Sequence, residues 1–294
     1  LHSTSRRQRQ MCIRDRYVVG EGDFLALGHH KLRFSLIPMV HWPETMVTYD
    51  ETEGILFSGD AFGCFGALNG GVIDANINTD IYWDEMVRYY SNIVGKYGAP
   101  VQKALQKLQA LKINAICSTH GPVWTEEIPR VVRIYDRLSR YEAEEGVVIA
   151  YGTMYGNTAE MAEAIAEELS KQGIRNIVMH NVSHTNHSYI IADVFKYRGL
   201  IVGCPTYNTQ MYPEMEALLN KLSAREIKGR YMGWFGSFTW ASAAVKKITE
   251  FNDKLKFEPV GNPIEMKHSM KSETYVQCKE LAKAMADRLK ADRK

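Results

Sequence analysis

The residues best suited to chemistry form two groups, one in each half of the chain. In the second half, Tyr151-Gly152-Thr153-Met154-Tyr155-Gly156-Asn157-Thr158 closes an apolar strand and opens a helix. Such a junction favours an anion, because a helix amino terminus offers unpaired N–H donors and the positive end of its dipole. Thr153 and Thr158 add hydroxyl donors, Asn157 is suited to cap the turn, and Gly156 lets backbone approach a phosphate. Gly-Asn-Thr before a helix is equally an ordinary turn and N-cap, so this loop alone does not decide the matter. Two more loops add weight: Cys204-Pro205-Thr206-Tyr207-Asn208-Thr209 and Gly236-Ser237-Phe238-Thr239-Trp240. Both follow strands, at the carboxyl ends where parallel sheets bind ligands. Both pair aromatic rings with small polar groups, which suits a flat ring system needing apolar faces and nearby donors. Aromatics that merely cap a core are the weaker account once three loops converge on one rim.

The second group lies in the first half. Pro38-Met39-Val40-His41-Trp42-Pro43, Phe57-Ser58-Gly59-Asp60-Ala61-Phe62-Gly63 and Cys117-Ser118-Thr119-His120-Gly121-Pro122 each follow a short strand. Each sets one His or Asp just beyond a strand end, where loops can gather them. Imidazole nitrogens and a carboxylate able to bridge two ions are the usual ligands of a binuclear centre. By residue type alone, however, His41 and His120 read as turn histidines and Asp60 as a capping residue. The three make no short metal signature. His29, His30, His180, His184, His187 and His268 read as surface or loop residues.

The elements that must position these groups differ between the halves. From Tyr17 to about Pro122 the chain reads as short strands around Leu32–Leu36, Ile55–Phe57 and Ile113–Cys117, with a helical stretch over Asp84–Leu111 broken near Gly95–Pro100. A charged helix over Ile128–Glu145 leads to Gly146, the expected boundary. Beyond it strand and helix alternate. Strands are expected at Val147–Tyr151, Asn176–His180, Gly199–Cys204, Tyr231–Phe235 and, more weakly, Phe257–Val260. Helices are expected at Thr158–Lys171, Tyr212–Leu222, Trp240–Phe251 and Glu273–Leu289. That grammar predicts an α/β unit: a doubly wound, parallel, five-stranded sheet covered on both faces.

The chain has 294 residues, 45% of them hydrophobic and 24% charged, which predicts two globular domains over residues 17–145 and 146–294. A net charge of +2 gives no reason to expect nucleic acid or an anionic membrane as partner. No apolar run is long enough to span a bilayer. The five cysteines are scattered and form no Cys-x-x-Cys pair, which suits reduced thiols in the cytoplasm and excludes a rubredoxin-type site within the sequence. Residues 1–16 hold five arginines and no periodicity, and read as an artefact or a disordered basic arm.

With these motifs in view, the span from Gly146 to Lys290 resembles the flavodoxin family. That resemblance implies FMN, with its phosphate on Thr153, Met154, Tyr155, Gly156, Asn157 and Thr158. Its ring would lie between Pro205, Thr206, Tyr207 and Asn208 on one side and Ser237, Phe238, Thr239 and Trp240 on the other. The order strand–His, strand–Gly-Asp, strand–Thr-His-Gly resembles the metallo-β-lactamase fold, here a partial αββα domain. The two together, with HWPETM, SGDAFGCFGALNG, YWDEMVRYY, STHGPVW and the join RYEAEEGVVIAYGTMYGNT, resemble the flavodiiron proteins, or A-type flavoproteins. That family implies a non-haem pair of two Fe, with His41 on one iron, Asp60 bridging and His120 on the other. It implies reduction of O2 to water or NO to nitrous oxide, a head-to-tail homodimer, and electrons from a separate donor such as rubredoxin or a reduced cofactor. The family's His-x-Glu-x-Asp-His stretch is missing here, so an amino-terminally truncated chain with an incomplete metal site is expected. The rival readings are an FMN electron carrier with a non-catalytic partner domain, or a zinc-hydrolase-like domain fused to a flavodoxin.

Overall fold

The computed structural model of the chain describes residues 17–68 and 70–293. The expectation for residues 1–16 lies outside the described residues. Two sheets organise the rest. The first holds β1 (Phe24–Leu27), β2 (His30–Leu36), β3 (Met46–Asp50), β4 (Ile55–Gly59) and β5 (Ala115–Ser118), in that spatial order. Neighbours are antiparallel except for the parallel pair β4/β5. Val47, Tyr49, Leu56 and Ile116 are buried in a core with Met86, Tyr90, Val131, Tyr135 and Leu138. Those core partners come from α1 (Asp80–Tyr89), a π turn over Tyr90–Val94 and α3 (Ile128–Ser139), with α2 (Gly98–Leu108) packed beside α3. The described residues therefore build one sheet with its helical layer, half of an αββα sandwich. Phe57, expected in a buried strand, shares a register row with Phe34, Thr48 and Cys117 and is half exposed.

The second sheet begins at β6 (Glu144–Tyr151), so the helix expected through Glu145 stops at Ser139 and Gly146 lies within a strand. It continues with β7 (Ile177–Asn181), β8 (Tyr197–Tyr207), the short β9 (Gln210–Met211), β10 (Tyr231–Phe238), and a fifth position split between β11 (Glu258–Pro259) and β12 (Ile264–Lys267). The order β7-β6-β8-β10-β11/β12, with these neighbours all parallel, is the doubly wound arrangement that opens a crevice at strand carboxyl ends. One face buries Val147, Ile149 and Ile201 against α4 (Asn157–Lys171) and α8 (Ser272–Ala291). The other buries Val148, Ala150 and Val202 with α5 (His187–Lys196), α6 (Pro213–Ser223) and α7 (Ala244–Leu255).

Helix α5 carries no sequence expectation. Its buried Ile190, Ile191, Val194 and Phe195 share one face at helical spacing, a short stripe confined to ten residues. It also joins the sheets. Tyr90 lies against Tyr135 and Phe195, at ring separations of 5.1 and 6.3 Å, and the hydrophobic core is continuous across both halves.

Candidate functional site

The phosphate-type loop lies where β6 turns into α4. Gly156 is the residue before the helix, at φ 92°, a left-handed conformation that disfavours any side chain with a Cβ. No side chain caps this end, so the expected Asn157 cap is not formed: Asn157 is the first helical residue instead. The first amides of α4 are left available to an incoming anion. The Gly156 N–H donates to Thr153 Oγ1 at 3.1 Å, holding the loop closed. Thr158 is buried, and its Oγ1 lies 2.8 Å from Ser237 Oγ. This hydroxyl pair fixes the helix start to the end of β10, so Thr158 contributes through a shared hydroxyl chain rather than as a free donor.

The other two loops complete a cleft of about 480 Å³. Tyr207 and Gln210 pair across a two-residue turn at Asn208 and Thr209, both with positive φ, as a tight hairpin requires. Thr206 Oγ1 accepts the Ala243 and Ala244 N–H groups at 3.0 and 3.1 Å. Its oxygen thereby anchors α7 as an acceptor while its O–H is left to donate, and that helix begins after Trp240 rather than at it. Trp240 and Tyr155 are left on the rim, 85% and 87% exposed. Every residue expected to hold the cofactor lines the cleft except Gly156, which shapes it through the backbone. One lining residue went unforeseen: His268, just beyond β12. The weak Phe257–Val260 signal gave no sign that the fifth strand resumes at Ile264.

The three metal-type residues also come together. A bulge shifts the β4/β5 register between Phe57 and Gly59, and Gly59 at φ 61° turns the chain so that Asp60 leaves the strand end. Asp60 Oδ2 lies 3.2 Å from His41 Nε2, and Asp60 Oδ1 lies 3.5 Å from His120 Nε2. Thr119 Oγ1 donates to Asp60 Oδ1 at 2.6 Å. Behind them, Ser118 Oγ donates to His120 O, Trp124 Nε1 to Phe62 O and Tyr135 Oη to Gly63 O, fixing both loops. The Tyr89 ring packs 5.5 Å from His120. Burial, with Asp60 and Cys64 adding to it, pushes the Tyr89 hydroxyl up, so it stays protonated beside the carboxylate. Burial, then Glu85, pushes the Cys64 thiol up to about 12, which makes it a packing residue rather than a thiolate ligand.

A carboxylate with a different imidazole at each oxygen is the donor pattern of a bridge. Three such residues are too few for two iron ions. Among the described residues, no group of three or more His, Cys, Asp or Glu surrounds a common point. The described half of the centre fits the group, and the whole donor set does not.

Comparison with known proteins finds a family match for each half of the chain. The flavodoxin family profile matches residues 149–282, and the ODP family beta lactamase profile matches residues 9–121. An uncharacterised protein of Methanocaldococcus jannaschii is 32% identical over 274 residues, covering 93% of this chain and 69% of its own length. A nitric oxide reductase of Moorella thermoacetica is 29% identical, covering 92% of this chain and 68% of its own. In structure, the rubredoxin oxygen:oxidoreductase of Desulfovibrio gigas superposes with a TM-score of 0.90 at 26% identity, over 99% of this chain and 74% of that one. A flavodoxin sheet joined to a lactamase-like sheet defines a two-domain flavoprotein oxidoreductase. The chain belongs to the flavodiiron proteins, whose cofactors are FMN and a non-haem iron pair.

Proposed function

We propose that FMN lies in the 480 Å³ cleft and that its electrons reduce O2 or NO at irons held in part by His41, Asp60 and His120. The observation carrying this reading is the co-occurrence, in one chain, of an uncapped helix start beneath an aromatic rim and a carboxylate between two imidazoles. When bound, FMN converts between one- and two-electron transfer, and paired metals hold the atoms to be reduced. The chain's own contribution is placement. Thr153 to Thr158 hold the phosphate, and the Pro205–Asn208 and Ser237–Trp240 loops hold the ring. The elements through Ser139 belong to the metal-side domain, and the flavin-side domain begins with β6 at Glu144, two residues before the expected Gly146. Trp42, 58% exposed and 6.0 Å from the His41 ring, suits a lining role on the metal side.

Relatives named as a nitric oxide reductase and a rubredoxin oxygen:oxidoreductase support a gaseous substrate and a separate protein donor of the rubredoxin kind. We place the reaction in the cytoplasm and in a head-to-tail homodimer. Among the described residues no helix is long and apolar enough to cross a membrane. The second reading, an FMN electron carrier with a non-catalytic partner domain, is favoured by one observation: the three-residue donor set.

Iron and turnover separate the two. The reductase reading expects about two irons per chain in protein purified anaerobically from its native gene. It also expects loss of NO and O2 consumption in Asp60→Ala with FMN content unchanged. An iron-free wild type, or full turnover by Asp60→Ala, contradicts it.

A further inference from the structure

His268 is the one cleft-lining residue that belongs to none of the three expected loops. Among the described residues that line the cleft, it is also the only Lys, Arg, His, Asp or Glu. The cradle is otherwise hydroxyls, amides and aromatic rings, which can bond a phosphate yet carry no full positive charge. A helix start adds only about half a charge.

The fold brings His268 close to the start of α4 through the end of β10. Lys267, the last residue of β12, is in register with Phe238 of β10, and the His268 N–H donates to Phe238 O at 2.9 Å. Ser237, one residue earlier, bonds Thr158 at the start of α4. The helix start, the end of β10 and His268 are therefore successive neighbours. The Pro205–Asn208 loop lies on the opposite side of β10, at the end of β8. His268 stands at φ 68°, in the left-handed region, and the β10 hydrogen bond holds it there.

We propose that His268 is a specificity-determining residue, the one side chain among the described lining residues able to bring a charge to the cofactor's phosphate, and that it favours FMN over the phosphate-free riboflavin. The inference rests on the FMN reading above. It acts by charge across the cleft, so it weakens with salt.

The test is a charge series at position 268, with dissociation constants for FMN and riboflavin measured by flavin fluorescence quenching at low ionic strength. His268→Asn is the neutral variant, because Asn tolerates a left-handed backbone. His268→Arg supplies a permanent positive charge and His268→Glu a negative one. Unchanged circular dichroism and thermal midpoint establish that each variant is folded. The FMN constant is expected to rise about five-fold in His268→Asn, rise further in His268→Glu, and hold or fall in His268→Arg. Riboflavin should stay within about two-fold throughout. A flat FMN series, or riboflavin moving in parallel with FMN, overturns the role of His268 while leaving the cofactor assignment intact. A wild-type chain that binds neither flavin overturns both.

Discussion

Thr158 and Ser237 carry the most testable residue-scale claim, because one buried hydrogen bond joins the loop proposed to take the phosphate to the loop proposed to take the ring. Thr158→Val preserves the shape and removes the hydroxyl. It should weaken FMN about ten-fold, near 1.4 kcal/mol, and leave Ser237 Oγ without this partner. Fluorescence titration checks this, and an unchanged dissociation constant would show that the pair is only structural. Gly156→Val puts a β-branched side chain at φ 92° and should cost about 1–2 kcal/mol of stability along with FMN affinity. Denaturant unfolding with and without FMN separates the two losses. At this scale the sequence was informative wherever a side chain acts alone. It misled at Asn157, expected as a cap where Gly156 holds that position, and it was silent on the acceptor bonds by which Thr206 Oγ1 anchors α7. Such pairings depend on residues far apart in the chain, which no local pattern reports.

Among the elements, the loop from His120 into α3 is tied down by Asp74. This buried carboxylate accepts the N–H groups of Thr125, Glu126 and Glu127 and the Thr125 hydroxyl. Burial alone would raise the Asp74 carboxyl, but those hydrogen bonds outweigh it and hold the group below the usual carboxylate range. The folded-state value is thus below the unfolded one. Its stabilisation is fully present above the unfolded value, about pH 4, and is lost as pH falls through the lowered folded value. Asp74→Asn should cost about 2 kcal/mol at neutral pH and flatten the acid limb of the stability profile, read from urea midpoints between pH 2 and 7. A parallel profile in the variant would contradict this. The strand–helix alternation of the second half was legible because buried parallel strands read as plain apolar runs. The first half was less so. Strands β1 and β3 escaped notice, since Phe24–Leu27 is largely exposed and Met46–Asp50 mixes polar with apolar residues. The helix break expected near Gly95–Pro100 falls at residues 95–97, and Pro100 lies in the first turn of α2, where no amide donor is needed.

In the whole molecule, Arg230 bolts the two sheets to one another. Its guanidinium is buried and donates to the backbone carbonyls of Val194 and Phe195 at the end of α5, of Tyr141 after α3, and of Lys228. Burial, with Arg198 adding to it, pulls it down to about 9, which leaves it charged at neutral pH. Arg230→Met strands those carbonyls and should cost about 3 kcal/mol or more. Because the core is continuous, both halves should melt in one transition that moves down together. Two separate calorimetric peaks in the wild type would refute that coupling. The two-domain order was readable from motifs, whereas this junction was not: the stripe of α5 is short, and the Tyr90–Phe195 contact and the Arg230 bonds join residues that meet only in the fold. The central claim is that the cleft at the start of α4 seats FMN, and one measurement tests it most directly. Titration of the purified chain with FMN, followed by absorbance and fluorescence, should saturate at one flavin per chain and leave the protein yellow after gel filtration. A chain that emerges colourless, with flavin fluorescence unquenched, would contradict it.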